Sequence, residues 1–221
     1  MEAAFWEQRW REGKIGFHEA EGSALLRAHL EALTGGRPGS VLVPLCGKSV
    51  DLQTLAEAGQ RVVGVELSPL AIEAFFAERG LSPERGPLGP FERSEGAGVS
   101  LLCGDFFALA AAQLDPFDAV FDRAALVALA PGQREAYVDL LHRALRPGGR
   151  VLLVTLSYDQ ALAPGPPFSV EDAEVHRLFA PRFELNLLGE RAIEAQSARL
   201  VEQGVRTVRE AAWLLSDRAR R

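Results

Sequence analysis

Apolar residues recur along this chain with two different periods, and their alternation predicts strands and helices in turn. Val41, Leu42 and Val43 form a short apolar run with no polar interruption, the pattern of a strand buried on both faces of a parallel sheet. Pro44, which offers a sheet no N–H, ends it. Gly47 permits a tight turn and a close backbone approach. Ser49 suits a helix cap and Asp51 the positive end of a helix dipole, and Leu52, Leu55 and Ala56 follow at helical spacing as far as Gly59. A second apolar run, 62–65, ends on Glu66. Ser68 and Pro69 then open a helix with Ile72, Phe75 and Phe76 as its buried stripe and Gly80 as its stop.

The flanking segments extend the same order. The N-terminal stretch reads as a helix up to Gly13, with Trp6 and Trp10 four residues apart on one face and Arg9 beside them. A linker carrying Phe17 and His18 leads to a helix over 23–33 with Leu26, Leu30 and Leu33 on one side. Residues 99–103, 117–121 and 151–156 read as further strands, and 131–145 as a helix with Tyr137, Leu141 and Leu145 inward. Ser169 and Asp172 have capping-box spacing for a helix ending near Phe179. Residues 183–188 and 205–215 read as a closing antiparallel pair with a helical linker. Residues 81–98, rich in glycine and proline, are too long for an ordinary connection and read as a mobile loop near the site. The expectation is a doubly wound, mostly parallel seven-stranded α/β sheet with a C-terminal antiparallel hairpin.

A chain of 221 residues suits one domain, with 1–35 as an N-terminal helical lid, and 48% apolar content is enough for a proper core. No apolar run reaches membrane-span length and no signal-peptide pattern opens the chain, so a soluble, cytoplasmic protein is expected. A net charge of −6 argues against nucleic acid as a partner. Cys46 and Cys103 make neither a disulfide framework nor a zinc site, and the four histidines lack metal-ligand spacing. No metal is expected, and a monomer is the default.

The candidate chemistry lies where strands end. Glu66 stands 19 residues after Gly47, the place from which an acid accepts hydrogen bonds from ribose hydroxyls in a nucleotide-binding unit. A pyrophosphate fingerprint needs three glycines and this turn offers one, so a phosphate-free nucleoside fits better, S-adenosylmethionine being the common one. Asp105 ends the third strand, placed to accept from an adenine amino group with Phe106 or Phe107 against the ring, or equally to cap the next helix. Arg123 ends the fourth strand, either paired with Asp122 or facing the cleft as a donor. Trp6 and Trp10 either pack on the core or close over a sulfonium cation, which an indole face attracts.

The stretches FWEQRW, GFH, VLVPLCGKSVDL, VVGVELSPLAIEAFF, CGDFFAL, DRAALVAL and GPPFSVEDAEVHRLF resemble a bacterial thiopurine S-methyltransferase, nearly end to end. The resemblance implies a class I, Rossmann-like methyltransferase fold, S-adenosylmethionine as methyl donor and a small aromatic or heterocyclic thiol as acceptor. By matching position it implies cofactor contacts from Trp10, Leu45, Glu66 and Arg123, with Cys103 to Phe106 along the adenine. It also implies that Phe17 and Arg123 face the acceptor, with GPPF shaping that side of the pocket. Gln60, Trp213 and the 81–98 segment depart from the family pattern. The expected reaction is an in-line displacement by a thiolate, governed by positioning. No general base is assigned: Asp122 is the nearest candidate, and its expected part is to orient Arg123. A nicotinamide-dependent oxidoreductase and a non-catalytic nucleoside-binding module are the competing readings.

Overall fold

The structure, a computed structural model, describes residues 3–16 and 18–218. Helices α1 (Ala3–Arg11) and α2 (Ala24–Thr34) precede β1 (Ser40–Pro44), and α3 (Asp51–Glu57), β2 (Arg61–Glu66) and α4 (Pro69–Ala77) follow. Next come β3 (Glu84–Leu88), β4 (Phe91–Gly96), β5 (Val99–Cys103) and β6 (Phe117–Arg123). The chain continues with α5 (Arg134–Ala144), β7 (Leu145–Ser157), α6 (Asp172–Phe179), β8 (Phe183–Glu194), α7 (Ala198–Glu202) and β9 (Thr207–Asp217).

Among the described residues the strands join one sheet of nine, in the order β3-β4-β5-β2-β1-β6-β7-β9-β8. The five central strands, β5 to β7 in that order, run parallel, while the hairpin β3–β4 adds to one edge and β9–β8 to the other, both antiparallel. The seven-stranded, mostly parallel sheet expected from the sequence is thus corrected to a mixed sheet of nine. The extra pair comes from residues 81–98, which form strands rather than a loop. Pro87 sits in β3, the outermost strand, where a missing N–H costs no ladder bond on the open side. Only Phe91 and Ser94 of β4 turn inward and bury, so the segment lacks the apolar alternation by which strands are recognised.

Alternation within the central strands divides the core in two. Leu42, Val63, Val65, Leu102, Val120, Val151 and Leu153 pack on one face with α5 and α6. Val41, Val43, Val62, Leu101, Phe121, Leu152 and Val154 pack on the other with α2, α3 and α4. Helices on both faces explain the unbroken apolar runs. Gly64, within β2, is a packing glycine: a Cβ there would come within 2.6 Å of Leu101 and 2.7 Å of the Cys46 sulfur.

Several caps differ from expectation. Glu171, not Ser169, is the N-cap residue of α6. Ser169 Oγ instead accepts from the Tyr158 N–H at 2.9 Å and donates to Glu171 at 3.2 Å, so the capping box gives way to a loop clasp. Ser68 caps α4 by position, but its hydroxyl makes no cap bond. Helix α3 starts at Asp51, whose N–H donates to Ser49 Oγ at 3.1 Å. The helix expected over 131–145 divides into a 3₁₀ turn, Pro131–Gln133, and α5, and β7 begins at Leu145, so that RPGGR runs in a strand.

Candidate active site

Because β1, β2, β6 and β7 are parallel, their carboxyl ends meet at one edge of the sheet, where open α/β sheets bind ligands. A cavity of about 740 Å³ opens there. Leu45, Glu66, Arg123 and Ala124 line it from the strand ends, joined by Val154 and Leu156 of β7. Two of these residues have backbones that side-chain-bearing residues rarely adopt: Leu45 at φ 48° and Ala124 at φ 66°. Each such conformation costs on the order of 1–3 kcal/mol and persists only where the surroundings impose it.

Glu66 is a buried acid of the cavity. It is 7% exposed. One carboxylate oxygen accepts from the Gly47 N–H at 2.9 Å and the other from the Ser68 N–H at 2.7 Å. Gly47 reaches this position at φ 55°, which glycine adopts without strain. Burial pushes the Glu66 carboxyl up, and the amides of Ser68, Gly47 and Leu67 oppose it. A carboxylate offers about four acceptor sites, so capacity for sugar hydroxyls remains.

The turn after β6 is set by Asp122, on the face of the sheet opposite Arg123. Its carboxylate is fully buried and accepts from the Ala125 and Leu126 amides, both at 3.2 Å, and from the Tyr137 hydroxyl at 2.7 Å. Burial raises its pKa to about 6 in spite of these donors. Asp122 therefore bears on Arg123 through the backbone turn on which Arg123 and Ala124 are carried. Arg123 itself forms an ion pair with Glu19 at 2.6 Å, and Glu19 also lines the cavity. Burial pushes the Glu19 carboxyl up, and the Arg123 guanidinium opposes this.

Chain segments distant in sequence supply the remaining walls. Trp6, Arg9 and Trp10 of α1 form one wall, and Pro166 and Pro167 a second. A third is made by residues 196–200 with Ile193, Val208 and Glu210. The proline loop is fastened by Phe168 N–H to Val127 O at 2.7 Å and by Tyr158 O–H to Pro167 O at 2.6 Å. Arg134, 1% exposed, secures its far end, donating to Leu129 O at 3.1 Å, to Ser169 O at 3.4 Å and to the Glu174 carboxylate at 2.6 Å.

Of the residues singled out in the sequence, Trp10, Leu45, Glu66 and Arg123 meet at the cavity, and Gly47 touches it through Glu66. Asp105 and Phe106 do not line it. Asp105 is exposed and caps a 3₁₀ turn, accepting from the Phe107 N–H at 3.1 Å, and Phe106 is buried in the core against Tyr137. Phe17 lies outside the described residues. Sequence reasoning missed Glu19, Arg134 and the α7 wall. Glu19 had a signal, as an acid between an aromatic pair of loop residues and a helix cap. A lone arginine opening a helix has none.

Residues 1–218 match the model of the Thiopurine S-methyltransferase (TPMT) family. The chain belongs to that family. It is 45% identical over 215 residues to a thiopurine S-methyltransferase of Pseudomonas fluorescens strain SBW25, covering 97% of this chain and 99% of the relative. It is 43% identical over 218 residues to that of Nitrosospira multiformis, covering 99% of each. Among solved structures, a methyltransferase from Anabaena variabilis superposes with a TM-score of 0.68 at 16% identity, over 98% of this chain and 95% of the other. A Burkholderia thailandensis 1,6-didemethyltoxoflavin-N1-methyltransferase with bound S-adenosylhomocysteine gives 0.61 at 20%, over 97% and 86%. These likenesses establish the class I, Rossmann-like methyltransferase fold, here with the β3–β4 hairpin added. As a family member the chain is an S-adenosylmethionine-dependent S-methyltransferase, and that compound is its methyl donor. No helix of the described residues is long and apolar enough to cross a membrane.

Proposed function

We propose that the cavity is where a small aromatic or heterocyclic thiol, thiopurines among them, receives its methyl group, with the donor held along the strand-built side. The observation that carries this is the buried Glu66 carboxylate, pinned by two backbone amides and facing a cavity roofed by two indoles. Glu66 would accept from the ribose hydroxyls, Leu45 and Gly47 would offer close backbone approach, and Trp6 and Trp10 would cover the cationic sulfur. Bound there, S-adenosylmethionine supplies an electrophilic methyl group on a sulfonium.

The chain's own work is positional. Helix α1 acts as a lid that excludes water, and Pro166 and Pro167 with the α7 segment bound the acceptor. Arg123 favours an anionic acceptor by charge and hydrogen bonding, and family resemblance adds Phe17 to this side. Holding two sulfurs and a methyl in line is worth about 7–11 kcal/mol of the barrier. An anionic acceptor needs no base.

The test is direct turnover. Incubation with S-adenosylmethionine and 4-nitrothiophenol yields the S-methyl product and S-adenosylhomocysteine by mass spectrometry. No methylated product from this thiol or from a heterocyclic one would overturn the reading.

A further inference from the structure

An aromatic heterocyclic thiol in its neutral form carries its acidic hydrogen on a ring nitrogen, with the sulfur as a thione. Methylation at sulfur must therefore release an N–H proton within the cavity. Four carboxylates line the cavity: Glu19, Glu66, Glu202 and Glu210. Glu66 is pinned by two backbone amides and assigned to the ribose, Glu210 is buried and ion-paired with Arg191 at 2.7 Å, and Glu202 is exposed on short helix α7. Glu19 differs from all three. It is half-buried and stands 2.6 Å from Arg123, the cation proposed to face the acceptor.

We infer that Glu19 is a catalytic residue, the proton acceptor through which this enzyme methylates neutral heterocyclic thiones as well as preformed thiolates. This deepens the proposed function and rests on it. As the acceptor sulfur bonds to the methyl carbon, the methyl–sulfonium bond breaks and its electron pair stays on the departing sulfide. The ring N–H pair moves into the heterocycle, and its proton passes to the Glu19 carboxylate. A neutral thione, a cation and a carboxylate become a neutral thioether, a neutral sulfide and a carboxylic acid, which returns the proton to water once the product leaves. Three groups face Glu19 from the elements around it: Arg123 at the end of β6, Asp51 of α3 and Glu210 of β9. The two acids and burial favour the protonated form, and the guanidinium keeps the carboxylate available.

Glu19→Gln, nearly the same shape without the charge, tests this with two acceptors. One is 2-mercaptopyridine, whose neutral form is an N–H thione. The other is 4-nitrothiophenol, which has no ring N–H and is already ionised at neutral pH. General-base loss predicts a fall in kcat/KM of about 100-fold for the first. For the second, loss of one partly exposed charge partner predicts a change within about threefold. In calorimetry with S-adenosylhomocysteine present, the variant binds 2-mercaptopyridine about tenfold more weakly, having lost a charge-assisted hydrogen bond. It binds 4-nitrothiophenolate as well as before or better. Equal losses on both thiols, or no loss on the first, overturn the inference. If the wild-type enzyme methylates neither thiol, the methyl-transfer reading has failed and the inference with it, whereas failure confined to the variant comparison leaves that reading standing.

Discussion

The two sides of the cavity are built by different means. The side formed by Leu45, Glu66, Arg123 and Ala124 hangs on three adjacent parallel strands, and the carboxylates of Glu66 and Asp122 are held there by backbone amides of the turns. The opposite side is assembled from α1, the proline loop and the segment around α7, elements far apart in the chain that meet only in the folded state. The first is preorganised by the sheet and suits a donor common to many enzymes. The second depends on long-range clamps and is where acceptor preference can vary without disturbing the sheet.

Arg134 is the strongest point at which to break this contrast. Arg134→Ala removes a buried cation from Glu174 and two carbonyls, and should cost about 3–5 kcal/mol in chemical denaturation. In whatever fraction stays folded, acceptor KM should rise more than donor affinity falls. A loss of donor affinity as large as that of acceptor would mean that the two sides are one unit.

Asp122 probes the strand-built side through pH. Its folded pKa lies above the unfolded value, about 6 against 3.8. Between those values the folded state binds more protons than the unfolded one, so this group's contribution to stability grows as pH falls from about 6 to about 4. Relative to Asp122→Asn, the wild type should gain up to roughly 3 kcal/mol across that window. Parallel stability curves for the two proteins would show that the burial of this charge is compensated.

A smaller effect is expected at Glu66. In Glu66→Ala the Gly47 and Ser68 amides lose their buried partner and the donor loses its acceptor, which should raise the Kd for S-adenosylmethionine about tenfold to 100-fold. Unchanged binding by calorimetry would place the nucleoside elsewhere. The smallest effect is expected at α1, where Trp10→Leu should weaken donor binding about threefold to fivefold, the worth of one partly exposed cation–π contact, and leave S-adenosylhomocysteine, which has no positive sulfur, less affected.

This division also decides what could be read from the sequence. The strand-built side was legible because its parts are local: a strand, a turn glycine and an acid at fixed spacing bring Gly47 and Glu66 together whatever the rest of the chain does. The expected helices on both faces of a sheet followed from unbroken apolar runs. Residues 81–98 were misread because an edge hairpin with mostly exposed positions carries no strong period, and glycine and proline there resemble loop residues. Asp105 and Phe106 sit at a strand end as expected, but the 3₁₀ turn that follows sends the ring into the core. Glu19, Arg134 and the α7 wall depend on contacts between distant segments, which no local pattern encodes.

The insertion of β9 between β7 and β8 has a consequence for how this enzyme matures on the ribosome. β8 has no other neighbour in the sheet, so it stays unzipped until β9 emerges and slots in beside it. The strand ends carrying Glu66 and Arg123 can be in register while the wall around α7 is still loose. A nascent chain should therefore hold the donor before it can enclose a thiol, so that methyl transfer switches on only with the last strand.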